Sequence, residues 1–265
     1  MTACSAGPGR LAVVGLGPGW EGWRTPEVTA LLAEATDLVG YSTYLDMVAE
    51  RPAGQRRHPS DNRQEAERAA HALDLAAAGC RVAVVSSGDP GVFAMAAAVM
   101  EQLDRPDRPA GWATVEITVT PGVSAAQAAA ARVGAPLGHD FATISLSDNL
   151  KPWSVIADRL AAAAGADFVL ALYNPASRHR PWQLERALDI IRNHRDPSTP
   201  AVVARDVGRP DEAIRVVTLA GLEPSMVDMR TVLLVGSSQT RVAVRVPGLP
   251  GVYTPRSYPP GPGAG

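Results

Sequence analysis

Residues 82–93 read VAVVSSGDPGVF, and this stretch decides the fold class. Its first four residues are apolar and three of them are valines, which is typical of a buried strand. Ser87 and Gly88 mark the end of that strand. Asp89 and Pro90 match the N-cap and the first position of a following helix. A buried strand that turns directly into a helix predicts an α/β fold.

The same unit recurs along the first half of the chain. Helices are predicted at 26–35, 63–78 and 92–103. Strands are predicted at 11–16, 38–40, 81–86 and 115–119. Because strands that alternate with helices need crossover connections, this half of the chain is expected to form a mostly parallel sheet.

The pattern changes after residue 120. Helices are predicted at 124–133, 153–164 and 182–194. Strands are predicted at 142–146, 168–173, 201–205, 214–219, 231–235 and 242–246. Because no long helix separates the last three strands, antiparallel pairing and a mixed sheet are expected there.

These patterns predict two domains and a tail. We expect an N-terminal α/β domain at 1–120 with a mostly parallel sheet, and a C-terminal α/β domain at 121–246 with a mixed sheet. Residues 247–265 are rich in proline and glycine and have no apolar period, which predicts disorder.

Composition limits the kind of function. The 265 residues are 46% hydrophobic and carry a formal net charge of −2. This allows a large core and argues against a nucleic-acid binder. Cys4 and Cys80 are far apart in sequence, so we expect neither a disulfide framework nor a metal site. The chain has no apolar run of about 20 residues and no signal-peptide pattern, so a soluble protein of the reducing cytoplasm is expected.

Two further turns are rich in glycine. Residues 14–28, VGLGPGWEGWRTPEV, contain a GxGxxG pattern, which makes a nicotinamide-dependent oxidoreductase an alternative. The pattern is weak support, because the helix is predicted to begin only at Thr25 and Pro26 and no acidic residue ends the next strand. Residues 120–137, TPGVSAAQAAAARVGAPL, form the other turn. Three such turns indicate a small ligand at the carboxyl ends of the strands.

Basic side chains follow a predicted buried strand in residues 169–182, VLALYNPASRHRPW. Arg178, His179 and Arg180 are consecutive, and such a run is typical either of a solvated loop or of a site for an anionic ligand.

The three turns, taken in this order, resemble the tetrapyrrole (precorrin) methyltransferases that use S-adenosylmethionine. The similarity runs from about residue 11 to residue 246. Four further segments, VGYSTYLD, SLSDNLKPW, ALYNPASRHRPWQL and LLVGSSQTR, resemble the branch that methylates C17 of precorrin-3B and contracts the ring. The resemblance implies two α/β domains with the active-site cleft between them, and a homodimer.

The resemblance also implies roles for individual residues. Those matched to S-adenosylmethionine are Pro18, Ser87, Gly88, Asp89, Val92, Ser124, Ala125, Tyr173, Asn174, Ala204, Asp206 and Gly208. Arg178 and Arg180 are expected to bind carboxylates of the tetrapyrrole, because arginine donates two parallel hydrogen bonds to a carboxylate. Candidates for the acid–base group of ring contraction are Tyr44, Asp148 and His179, with Asp46 and His139 as further ones.

Several alternatives stay open from the sequence. Relatives with the same turns methylate ribosomal RNA or build diphthamide, and the acidic balance argues against RNA. A non-catalytic tetrapyrrole carrier is another alternative. The residues do not distinguish a metal-free ring from a cobalt-containing one.

Overall fold

The computed structural model describes residues 9–49, 52–61, 64–177, 181–246 and 249–258. The chain divides into two compact units, with the division after Ser124. In the described part of the chain, no helix combines the length and the apolar character that a bilayer crossing needs.

The first unit contains one parallel sheet. Its strands are β1 (Arg10–Gly15), β2 (Asp37–Tyr41), β3 (Arg56–Ser60), β4 (Arg81–Ser86) and β5 (Glu116–Thr120). Its helices are α1 (Pro26–Glu34), α2 (Ser42–Leu45), α3 (Glu65–Ala77) and α4 (Met95–Asp104). The strand order is β3-β2-β4-β1-β5, and every neighbouring pair is parallel. The predicted parallel sheet is therefore confirmed.

Both faces of this sheet are buried, which explains its almost continuous apolar strands. Val82 and Val84 pack in one cluster with residues of α3 and α4, and Ala83 and Val85 pack in the other with residues of α1. Strand β3 is not among the predicted strands, because its residues RRHPS are polar and include a proline. Such a strand is tolerated because β3 lies at the edge of the sheet.

The second unit contains a mixed sheet and a smaller one. Its strands are β6 (Gly134–Ala135), β7 (Phe141–Ser145), β8 (Val169–Tyr173), β9 (Pro200–Arg205), β10 (Ala213–Thr218), β11 (Thr231–Val235), β12 (Arg241–Val246) and β13 (Leu249–Tyr253). Its helices are α5 (Ala125–Val133), α6 (Trp153–Gly165) and α7 (Gln183–Arg192). In the order β10-β9-β11-β8-β7 only β7 and β8 are parallel, so the predicted mixed sheet is confirmed.

Helices α6 and α7 cover one face of the mixed sheet. Ile156 and Leu160 of α6 and Leu188 of α7 are fully buried in one cluster with Leu170 and Leu172 of β8. This packing fixes the strand end at Tyr173, where predicted site residues lie.

The prediction of disorder for the tail is wrong for residues 249–258. Strand β13 pairs antiparallel with β12 and parallel with β6, and Val252 is buried. The Thr254 hydroxyl donates to the carbonyl of Pro136 at 2.6 Å, and the Tyr258 hydroxyl donates to Asp167 at 2.7 Å. The proline and glycine content of this segment did not indicate disorder, because a short strand in a pairing of irregular register accommodates both residue types.

The expectation that the cysteines form no disulfide is wrong for Cys80. Cys80, buried just before β4, is disulfide-bonded. Distance along a sequence does not measure distance in a folded chain, so sequence spacing was a poor guide to the bonding of Cys80. Cysteine usage therefore gives no support for a reducing compartment.

Candidate active site

Three glycines meet where β1, β4 and β5 end in the first unit. A Cβ atom built on Gly15 would lie 2.6 Å from the carbonyl oxygen of Gly88 and 2.7 Å from the amide nitrogen of Gly122. Real Cβ atoms do not approach backbone so closely, so the three turns pack backbone against backbone. A Cβ atom therefore has no room at Gly15 or at Gly122.

Gly17 and Gly88 join two of these turns. The Gly88 amide donates to the Gly17 carbonyl at 2.8 Å, and the Gly17 amide donates to the Gly88 carbonyl at 3.2 Å. Both residues have positive φ, +72° and +71°, which glycine adopts without strain. Glycine is therefore favoured in these turns for two reasons: the positive φ at Gly17 and Gly88, and the lack of room for a Cβ atom at Gly15 and Gly122.

Asp89 links the other pair of turns. Its Oδ1 accepts from the Gly91 amide at 2.8 Å, and its Oδ2 accepts from the Gly122 amide at 3.1 Å. Helix α4 begins only at Met95, so the prediction that Asp89 and Pro90 start this helix is wrong. A backbone partner in the next turn holds the carboxylate instead, which local sequence does not reveal.

The other predicted donor-binding residues of the first unit lie on the same three turns. Pro18 follows β1, Ser87 and Val92 follow β4, and Ser124 follows β5. Pro18 and Ser124 are buried, and Ser87 and Val92 are partly exposed. These positions carry small side chains between backbone turns, which suits a ligand recognised by shape and amide groups.

Tyr44 lies at the same edge, on α2 after β2, and its ring packs edge-on against Tyr41 with centroids 5.3 Å apart. Two arginines hold the end of α2: Arg24 donates to the Met47 carbonyl at 3.0 Å and Arg57 to the Leu45 carbonyl at 2.7 Å. The sequence did not predict a role for Arg24 or Arg57, because no sequence pattern indicates that either side chain donates to a backbone carbonyl of a distant residue.

In the second unit, Tyr173 and Asn174 lie at the end of β8 as predicted. The Tyr173 hydroxyl accepts from the Ala126 amide at 2.9 Å, in the first turn of α5 and beside Ala125. Asn174 has a φ of +50° and donates from Nδ2 to Ser145 Oγ at 3.0 Å. These contacts bring Ala125, Tyr173 and Asn174 together, and Ser145 was not predicted.

Asp148 accepts a hydrogen bond from Gln183, a residue that was not among the predicted site residues. The Gln183 Nε2 donates to Asp148 Oδ2 at 3.0 Å, and Gln183 is only 2% exposed. The rings of Trp153 and Trp182 pack edge-on with centroids 5.0 Å apart and line a surface groove of about 510 Å³. The predicted residues Arg178, His179 and Arg180 lie outside the described residues.

The predicted loop at residues 204–208 carries a charged network. Asp206 is buried with a φ of +50°, and its Oδ2 lies 3.1 Å from Arg230 and 3.3 Å from Arg205, without hydrogen-bonding geometry. Burial, partly opposed by Arg205, raises the pKa of Asp206. The Gly208 amide donates to Glu212 at 2.6 Å, and Ala204 is fully buried. Asp206 and Gly208 thus have local partners.

Metal-binding chemistry has no visible place in the described parts of either unit. No three histidine, cysteine or acidic side chains converge there in a way that would hold an ion. His58, in the middle of β3, and His71 of α3 lie 3.0 Å apart and form a hydrogen-bonded pair.

The residues that form the parallel sheet, its three glycine turns and most of the mixed sheet also match a family model. The family model of the tetrapyrrole (corrin/porphyrin) methylases matches residues 10–223, and the chain belongs to this family. The alternative of a nicotinamide-dependent oxidoreductase is thereby excluded.

The chain is also similar to individual proteins over most of its length. The chain is 56% identical to the cobalamin biosynthesis protein CobIJ of Mycobacterium tuberculosis over 95% of its own length and 49% of that protein, so it spans about half of that relative. It is 53% identical to a precorrin-3B C(17)-methyltransferase of a Sinorhizobium species, over 94% of this chain and 97% of that one. The crystal structure of the methyltransferase CobJ superimposes with a TM-score of 0.87 at 52% identity, covering 93% of this chain and all of that one.

Proposed function

We propose that this chain transfers a methyl group from S-adenosylmethionine to C17 of precorrin-3B and contracts the ring to precorrin-4, a step of cobalamin biosynthesis. The observation that carries the proposal is the 53% identity to a precorrin-3B C(17)-methyltransferase over nearly the full length of both chains. The family resemblance further implies a homodimer, and the homodimer and the cytoplasmic location both stay predictions.

The glycine turns of the first unit are the proposed binding site for the methyl donor. Ser87, Gly88 and Val92 after β4 and Ser124 after β5 would contact it, together with Pro18. The close approach of Gly15 and Gly122 to neighbouring backbone would hold the three turns together around this proposed site. Asp89 would hold the turns in register through its two amide contacts.

In the second unit, Ala125, Tyr173 and Asn174 are proposed to contact the same donor, as is the loop of Ala204, Asp206 and Gly208. Bound S-adenosylmethionine supplies an already activated methyl group, so we infer no metal for the transfer. The protein's task is then alignment of the reacting atoms, which accounts for most of the rate gain in such transfers.

Ring contraction needs a group that takes a proton from an oxygen substituent. Asp148 is a proposed candidate for this task, because Gln183 donates to one carboxylate oxygen and holds the side chain in place. Tyr44 and His179 are the other proposed candidates. Arg178 and Arg180 are proposed to hold substrate carboxylates through paired hydrogen bonds.

Mass spectrometry of the product tests this function. Purified protein is given precorrin-3B and S-adenosylmethionine with a labelled methyl group, and a parallel reaction contains the cobalt-bearing ring. We expect one labelled methyl on a ring-contracted product from precorrin-3B. Labelled product from the cobalt ring alone would reassign the substrate, and an unlabelled ring in both reactions would contradict the proposal in favour of a carrier.

A further inference from the structure

Lys151 is the single lysine of the chain, beside 24 arginines. The two cations differ chemically, since lysine offers a compact ammonium on a flexible stem and arginine a rigid planar fork. The chain places its one lysine ammonium between β7 and α6, two residues before Trp153.

Hydrogen bonds connect this segment to the predicted site residues at the end of β8. The Leu146 amide donates to the Tyr173 carbonyl at 2.9 Å. Ser145 Oγ accepts from Asn174 and from the Ser147 amide, at 3.0 and 3.3 Å. Lys151 Nζ in turn donates to the Ser147 carbonyl at 3.5 Å. Lys151 therefore lies at the same sheet edge as the proposed active site.

The ammonium lacks a counter-ion in the part of the chain that the structure describes. None of the ion pairs found there within 4.0 Å includes Lys151, and its contact to the Ser147 carbonyl is long. The nearby carboxylate of Asp148 already accepts from Gln183. Lys151 is partly buried, and burial, with the positive charge of Arg159, lowers its pKa. An incoming anion would offset both effects.

We propose that the Lys151 ammonium binds a carboxylate of the tetrapyrrole substrate. The inference rests on the proposed function, which makes that substrate a ring with several carboxylates. A point charge on a flexible stem can follow a mobile carboxylate side chain, whereas the arginines at 178 and 180 would need fixed bidentate geometry. Lys151 is thus a substrate-binding residue that motif reading alone did not find.

The single lysine permits a direct footprinting experiment. The protein has only two kinds of aliphatic amine, Lys151 and the α-amino group, and the latter is an internal control. Acetylation rates of both are measured by peptide mass spectrometry with and without uroporphyrin III, a stable polycarboxylate tetrapyrrole. Its fully esterified form is the uncharged control ligand.

We expect saturating uroporphyrin III to slow acetylation of Lys151 about tenfold, because a bound carboxylate occupies the ammonium. The α-amino group should react at an unchanged rate, and the ester should protect neither amine. Equal Lys151 rates with and without a ring that demonstrably binds would overturn the inference and leave the proposed function standing. A wild-type protein that binds no tetrapyrrole at all would overturn both.

Variants provide the second readout. Lys151→Met removes the charge and keeps an apolar stem, Lys151→Arg restores a cation, and Arg215→Met removes an exposed cation of β10 as a matched control. We expect Lys151→Met to bind uroporphyrin III about tenfold more weakly, Lys151→Arg to recover most of the affinity, and Arg215→Met to match wild type. Unchanged S-adenosylhomocysteine affinity shows that each variant is folded. Equal ring affinity of Lys151→Met and Arg215→Met would contradict the proposal.

Discussion

The two sheet edges that carry the proposed site are built differently. At the edge of the first unit, the contacts join backbone to backbone at Gly15, Gly17, Gly88 and Gly122, and one carboxylate adds to them. At the edge of the second unit, side chains make the contacts, from Tyr173 to Ala126 and from Gln183 to Asp148. A backbone site tolerates no added atom, whereas a side-chain site loses one interaction at a time.

The largest effect is therefore expected from a single methyl group in the first edge. Gly122→Ala would place a Cβ atom against the Gly88 carbonyl and the backbone of Gly15. Overpacking against rigid backbone costs about 3 kcal/mol, and donor binding should be lost with it. Thermal unfolding and S-adenosylhomocysteine titration measure the two effects.

Gly111→Ala is the matched control for that substitution, because its nearest neighbour, the Cβ atom of Ala77, would be 3.6 Å away. We expect its stability to lie within about 0.5 kcal/mol of wild type. If both alanine variants unfold at the same temperature, the close approach of the three turns is not a constraint.

The next largest effect concerns the basic cluster of the second half. Changing Arg178 or Arg180 to Gln should raise the Michaelis constant for the tetrapyrrole about tenfold each, since a charged hydrogen bond is worth about 1.5–3 kcal/mol. Donor affinity should not change. Added salt should weaken ring binding by wild type more than by the double variant. Equal salt dependence of wild type and the Arg178→Gln/Arg180→Gln double variant would indicate that the basic residues belong to a solvated loop and do not bind the ring.

A smaller effect is expected where a side chain supports the first edge. Asp89→Ala leaves the Gly91 and Gly122 amides without their acceptor, which should cost about 1–2 kcal/mol of stability. Asp89→Asn keeps one acceptor oxygen and should lose less. Chemical denaturation measures both, and equal losses in the two variants would show that the amide contacts are not the reason.

The smallest effect is a pH dependence in the second edge. The raised pKa of Asp206 means that the folded protein binds this proton more tightly than the unfolded chain does. Stability should therefore fall as pH rises from the ordinary aspartate range through the raised pKa. Asp206→Asn cannot titrate, so the slope in that window should decrease. An unchanged slope in denaturation at several pH values would show that the arginines fully compensate the charge.

The same contrast explains how much the sequence could predict. Glycines that a turn requires are visible as motifs, so residues 14–19, 87–93 and 120–125 were identified correctly as strand-end turns. Buried valine-rich strands such as β4 were visible for a similar reason, because burial on both faces leaves a continuous apolar run.

Side-chain partners distant in sequence were not visible. Gln183 lies 35 residues from Asp148, and no sequence pattern at either position predicts the hydrogen bond between them. Asp89 was predicted to cap a helix because aspartate is common both at helix N-caps and in turns, where its side chain accepts from backbone amides. Only the folded structure shows that the Gly122 amide, from another turn, donates to its carboxylate. Strand β13 was not predicted because its composition does not favour a strand. Its hydrogen-bonded pairing with β12 and β6 stabilises it, and that pairing depends on the fold.

Calorimetric titration with S-adenosylhomocysteine tests most directly the central claim, that the glycine turns of the first unit hold the methyl donor. Wild type, Asp89→Ala and Gln183→Leu are compared without any tetrapyrrole present. We predict that wild type and Gln183→Leu bind equally well, and that Asp89→Ala binds about tenfold more weakly, the equivalent of about 1.4 kcal/mol. Normal binding by Asp89→Ala together with weak binding by Gln183→Leu would contradict the claim.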